Sequence, residues 1–237
     1  APAEPFFTKH HFLLRRLHSL TGIVPIGVFL ISHLVTNSSI LWGLLDSHKA
    51  HLGHAGAATF QHEVNFIHSL PFLLLIEVFG LWLPIAFHSV LGIYYATTGK
   101  GNTGAYRYTS NRRYALQRIS GYIGVLFIFY HVATLRWGWT FLVPGGTKWS
   151  ADYAGSTMAA ALQGSTEGFT AAGLAVAAFY MAGVSLLVFH FANGLWTAAI
   201  TWGLTITVRG QKRWGLVCTA IGTGLMLAAW AAVIGFA

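Results

Sequence analysis

Acid is what this chain most lacks: Asp and Glu number 6 in 237 residues, against 14 Lys and Arg. Charged residues reach only 8% where a soluble domain carries about 25%, and 55% of the residues are hydrophobic. That balance excludes an ordinary soluble domain and indicates an integral membrane protein. The single cysteine, Cys218, sits inside an apolar run, which excludes a disulfide framework, a Cys-x-x-Cys pair and a covalently attached c-type haem. The formal charge of +8 would suit nucleic acid only on a soluble face. Here the basic residues fall between apolar runs, where topology and lipid headgroups use them, so nucleic-acid binding is not expected.

Long apolar runs are plentiful. Five approach or exceed the roughly 18 residues of a membrane span, at about 17–36, 70–96, 119–139, 169–204 and 214–236. A helix is the open segment that satisfies its own backbone in lipid, so the expected fold is an all-α integral membrane bundle of five helices. No low-complexity stretch or linker divides it, and residues 1–237 read as one membrane domain. Gly27, Gly92, Gly121, Gly124, Gly173, Gly183, Gly222 and Gly224 are expected to serve close helix packing, and Pro25 and Pro84 to kink the first two helices. Arg15 and Arg16 precede a full-length span with no small-residue cleavage site, so the amino terminus does not read as a signal peptide. Trp42, Trp137, Trp139, Trp149 and Trp214, near span ends, read as interfacial anchors.

Orientation follows from the basic residues. Five spans put the amino terminus and the 97–118 and 205–213 loops on one side, with Lys9, Arg15, Arg16, Lys100, Arg107, Arg112, Arg113, Arg118, Arg209, Lys212 and Arg213. The other side holds Lys49, Arg136 and Lys148 with Asp46, Glu63, Asp152 and Glu167. The basic side is expected to be cytoplasmic, with the amino terminus inside and the carboxyl terminus outside.

Four histidines, His33, His88, His131 and His190, lie deep in four different spans. An imidazole in hydrocarbon needs a partner. Orientation gives each a depth: at roughly 1.5 Å per residue, His33 and His131 fall in the outer half, and His88 and His190 in the cytoplasmic half. Any one of them alone is equally well an interhelical hydrogen-bonding group or a proton relay. Two pairs at two depths favour two stacked bis-histidine haems, since low-spin haem iron takes two axial imidazoles; zinc needs its ligands at one point. His18, at the cytoplasmic rim beside Arg15 and Arg16, reads as a propionate or headgroup partner. The histidines from His48 to His68 read as a solvated loop more readily than as a metal site.

Spacing excludes the cytochrome b of quinol-cytochrome c reductases, in which each of two helices carries two ligands. Other stretches carry a resemblance. Arg15-Arg16-Leu17-His18-Ser19-Leu20-Thr21-Gly22 with Ser32-His33-Leu34, and Ser69-Leu70-Pro71-Phe72 with Glu77 and His88, are similar to the dihaem cytochrome b subunit of succinate:menaquinone oxidoreductases. So are Asn102-Thr103-Gly104 with Tyr106 and Tyr108, Leu116-Gln117-Arg118-Ile119-Ser120-Gly121 with Phe129-Tyr130-His131, and Phe189-His190-Phe191-Ala192-Asn193-Gly194-Leu195-Trp196.

The resemblance runs along nearly the whole chain. It implies two haem b groups, His88 and His190 ligating the inner iron and His33 and His131 the outer, and a flavoprotein and an iron-sulfur subunit docked on the cytoplasmic side. The chain would then anchor those subunits in a bacterial cytoplasmic membrane and pass electrons to menaquinone, a higher oligomer of the complex being compatible with this. His18, Ser19, Arg16 and Arg118 would receive haem propionates, although topology explains the arginines equally well. The 97–114 loop, with its arginines and Tyr106, Tyr108 and Tyr114, would be the docking surface. Succinate oxidation and fumarate reduction share this architecture. An anchor of a hydrogenase or nitrate reductase, or a haem-free proton relay, are the competing classes; the Arg-Leu-His-Ser and Phe-His-Phe-x-Asn-Gly stretches argue against the first.

Glu77 is the one acid within a span. It precedes His88 by close to three α-turns, so both are expected on one face with Glu77 roughly 16 Å further out. There it would exchange protons with a quinone, or bond a neighbouring helix as a neutral acid. Some fumarate-reducing relatives carry a further glutamate near the fourth-helix ligand; Leu187, Val188 and Phe189 stand here, so no transmembrane proton path is expected through that position.

Overall fold

The computed structural model describes residues 5–45, 54–99, 104 and 108–237. Asp46, His48, Lys49 and His51, and Lys100, Asn102, Thr103, Tyr106 and Arg107, lie outside the described residues.

Runs of Leu, Ala, Val and Phe with few breakers give helices in chain order: α1 (Phe6–Lys9), α2 (His11–Ile23), α3 (Pro25–Trp42), α4 (Ala55–His68), α5 (Leu73–Glu77), α6 (Leu83–Thr98), α7 (Thr109–Leu135), α8 (Ala154–Gln163), α9 (Ala171–Thr201) and α10 (Val208–Phe236). No strand occurs among the described residues. Five stretches are long and apolar enough to cross a membrane: His11–Leu45, Leu73–Thr98, Asn111–Leu135, Ala171–Thr201 and Val208–Phe236. The chain is an all-helical, multi-pass membrane protein. Leu75, Phe79, Val90, Leu126, Leu174 and Leu216 stand exposed on these helices, an apolar exterior that suits lipid rather than water.

The boundaries differ from those read from hydropathy. The first span reaches both earlier and later than 17–36, because helix continues through polar rims that a hydropathy window trims. The third ends at Leu135 rather than at Trp139: the amides of Arg136 and Trp137 both turn to the Val132 carbonyl and that of Trp139 to Ala133.

Both prolines act, by different means. Pro25 has no amide for the Thr21 carbonyl, and α2 and α3 divide at Val24, whose ψ is −70°. Pro84 has none for Gly80, and the turn before it widens into a π-helix over Val78–Trp82. A π-turn takes one residue more than an α-turn, which rotates the remainder of the helix by about 100°. Glu77 and His88 are therefore not three α-turns apart, and the common face expected from α-helical spacing is lost.

The segments flanking the second and third spans, expected as loops, contain α4 and α8, so His62 and His68 lie on helix. The Gln61 side chain joins the two: its Oε1 accepts the Ala154 amide at 3.0 Å and its Nε2 donates to the Ala151 carbonyl at 2.7 Å.

Contacts divide the chain into two compact units. The first comprises Ala1–Leu30, Leu74–Tyr122 and Phe189–Gly222, with α2 packed on α6; the second comprises Ile31–Leu73, Ile123–Val188 and Thr223–Ala237. The second has its own buried core of Phe60, Val64, Phe127, Met158, Leu162, Tyr180, Val233 and Phe236.

Candidate functional site

The first unit gathers three imidazoles. His88 on α6 donates from Nδ1 to the His18 carbonyl at 2.9 Å, and His190 on α9 donates from Nδ1 to the Gln117 carbonyl at 3.1 Å. Ser120 Oγ lies 3.2 Å from the same nitrogen and itself donates to Gln117. A carbonyl oxygen only accepts, so each Nδ1 carries the hydrogen and each Nε2 keeps its lone pair, the form in which imidazole binds a metal. The two ring centres stand 6.2 Å apart at 81°.

Two glycines make these positions possible. A Cβ on Gly22 would lie 2.6 Å from His88 Cε1, and one on Gly121 would lie 3.1 Å from His190 Cε1. At Gly22 a side chain would force the His88 ring to move, and at Gly121 it would press the His190 ring by a few tenths of an ångström. Gly121 was expected to serve helix packing; here it meets an imidazole.

His18 is the third ring, stacked on His88 with centres 4.0 Å apart and planes 12° from parallel. Its Nε2 is buried with no hydrogen-bond partner among the described residues, and so is Arg16 Nε. Arg16 lies over the Phe12 ring at 4.1 Å.

The second unit holds the other pair. His33 and His131 have ring centres 5.7 Å apart, nearly perpendicular at 86°. Tyr180 Oη lies 3.4 Å from His131 Nδ1, and Phe127 stacks on His131 at 5.9 Å and 23°. Asn37 Nδ2 lies 3.4 Å from the His33 ring nitrogens while donating to the His33 carbonyl at 2.8 Å. A small cavity of about 10 Å³, close to the volume one water needs, opens between Tyr130, Thr134 and Tyr180.

The structure thus brings His88 to His190 and His33 to His131, the pairing that depth gives. With metal–imidazole bonds of roughly 2 Å, two axial rings on one iron have centres about 6 Å apart, and both pairs match that spacing. The Nε2 lone pairs of His88 and His190, the glycines against those rings and the orphaned nitrogens of His18 and Arg16 fit a porphyrin iron with acidic side groups. Among the described residues, no three His, Cys, Asp or Glu side chains converge on one point.

The remaining expected residues are more occupied. Ser19 Oγ donates to the Arg16 carbonyl at 2.9 Å and accepts from Trp202 Nε1 at 2.8 Å, so its hydrogen is already used. Arg118 donates to the Ala96 carbonyl near the end of α6 and faces the Tyr114 ring. Glu77 ends α5, half-buried, at the start of the π-turn.

Hydropathy did not single out Gln117, Ser120, Tyr180, Asn193 or Gly22 as site residues. Their signal was available as polar or hydrogen-only positions inside spans, most of them within the stretches that carry the resemblance.

No family model matches the chain, and no solved structure matches it. It is 35% identical over 204 residues to the succinate dehydrogenase cytochrome b558 subunit of Bacillus subtilis, a match that covers 86% of this chain and 86% of that protein.

Proposed function

The chain belongs to the succinate dehydrogenase cytochrome b558 subunit family, and we propose that it carries electrons from an iron-sulfur subunit to menaquinone as the membrane anchor of that complex. Succinate chemistry belongs to the flavoprotein partner. Both soluble subunits dock on the cytoplasmic side, where the basic residues of the amino terminus and of α7 and α10 collect. The chain is read as one membrane domain over residues 1–237, with its amino terminus inside.

His88 with His190 hold an inner haem b, and His33 with His131 an outer one. When bound, haem iron supplies one-electron transfer without an open coordination position. The protein's own residues set the ligands: the His18 and Gln117 carbonyls hold the His88 and His190 rings in the tautomer that exposes Nε2, and Tyr180 meets His131 Nδ1. His18 and Arg16, with buried unpartnered nitrogens, supply donors for a propionate. Ser19 and Arg118 remain weaker members of that set, their contacts being already made. Glu77 exchanges protons with the quinone.

The observation that carries the reading is that both His88 Nδ1 and His190 Nδ1 face backbone carbonyls in rings 6.2 Å apart. Copurification with both partner subunits, followed by a pyridine haemochrome assay, should give two haems b per chain. H190A and H131A should each retain one, with different midpoint potentials. Absence of a low-spin haem b signal from the intact complex refutes the reading.

A further inference from the structure

A single file of hydrogen bonds links Arg113 to the main chain of His190. Arg113 Nε donates to Asn193 Oδ1 at 3.0 Å, Asn193 Nδ2 donates to Gln117 Oε1 at 2.8 Å, and Gln117 Nε2 donates to the His190 carbonyl at 3.0 Å. His190 returns the contact through Nδ1 to the Gln117 carbonyl at 3.1 Å. The far end is fixed as well: the Arg113 guanidinium lies 4.2 Å over the Trp196 ring, and Trp196 Nε1 donates to the Gln211 carbonyl at 3.0 Å.

The file has one solution. A guanidinium only donates, so Asn193 must present its oxygen to Arg113 and its nitrogen to Gln117. Gln117 must then offer its own oxygen to Asn193, which leaves its nitrogen for His190. Asn193 is 3% exposed, so water does not compete for either end of its amide. Donors aligned in one direction strengthen one another, and the file begins on a cation.

We propose that Gln117 and Asn193 are positioning residues for the inner haem, clamping α7 to α9 at His190 and so fixing the bond from His190 Nδ1 to the Gln117 carbonyl. The inference rests on His190 being an axial ligand. A firm Nδ1 hydrogen bond makes Nε2 the stronger electron donor, which favours ferric iron. Loosening the clamp weakens that donor and raises the midpoint of this haem alone. Arg113 is thereby more than a topology charge, since it orients both amides.

The test uses the intact complex with N193L and Q117M, both neutral replacements that bring no new charge near the iron. Redox titration and low-temperature electron paramagnetic resonance are read for each haem. The expected result is an upward shift of one midpoint with a displaced low-spin signal for that haem, the other haem unmoved and two haems still present. If N193L does not accumulate, Q117M, which keeps the main-chain carbonyl and the length of the side chain while removing both side-chain amide bonds, decides. Two unshifted haems in Q117M overturn the clamp. H190A separates the two readings: retention of both haems there refutes the ligand assignment, whereas loss of one haem with N193L and Q117M unshifted refutes only the clamp.

Discussion

His18 and His88 lie face to face, ring centres 4.0 Å apart, although they come from different spans and only His88 is a proposed iron ligand. The His18 carbonyl takes the His88 hydrogen while the His18 ring backs the His88 ring. One residue thus sets both the tautomer and the tilt of its neighbour.

H18F should preserve the ring stack and the carbonyl while removing the proposed propionate donor, with Arg16 left to serve the propionate, and so still retain both haems in a pyridine haemochrome assay. H18A removes a contact worth about 0.5–1.5 kcal/mol and should loosen only the inner haem, seen as faster loss on heating. Equal behaviour of the two variants would mean that the stack does not hold His88.

G121V should abolish one haem and spare the other. A Cβ there already lies 3.1 Å from His190 Cε1, and the branched side chain leaves the ring no seat. Two haems retained per chain in G121V would contradict the close seat.

Y180F removes the oxygen 3.4 Å from His131 Nδ1. The outer haem should stay bound but shift in midpoint and low-spin resonance, with the inner haem unchanged. A shift of the inner signal instead would reverse the assignment of the pairs.

E77Q should slow quinone reduction by roughly a hundredfold, the lower edge of what general acid–base groups contribute, while both haem spectra stay intact. Unchanged turnover with a menaquinone analogue removes Glu77 from the reaction.

Q61L deletes two hydrogen bonds between α4 and the start of α8. At about 0.5–1.5 kcal/mol each, thermal unfolding of the detergent-solubilised complex should fall by several degrees with haem content unchanged. An unaltered melting curve would assign the hold between these helices to apolar packing instead.

The spans and the histidine pairs were legible because lipid imposes them: length, apolarity and the placement of basic residues depend on composition alone. Helix depth followed from a constant rise per residue, and it was enough to match His88 with His190. Rotation was not legible. The π-turn before Pro84 changes the face that Glu77 presents, and no spacing rule registers one extra residue in a turn. Helices α4 and α8, at 14 and 10 residues, are too short to register as membrane spans by hydropathy. Gln117 and Asn193 were in plain view as polar residues within apolar helices, yet their partners lie more than seventy positions away in sequence, and only the fold brings them together.

The two histidine pairs differ in how they can evolve. His88 and His190 give their hydrogens to main-chain oxygens, which every amino acid supplies, so no codon change at position 18 or 117 can delete the acceptor itself. His131 meets a tyrosine hydroxyl that a single substitution removes. One pair is therefore written into the backbone and conservative by construction, while the other exposes its chemistry to selection one side chain at a time.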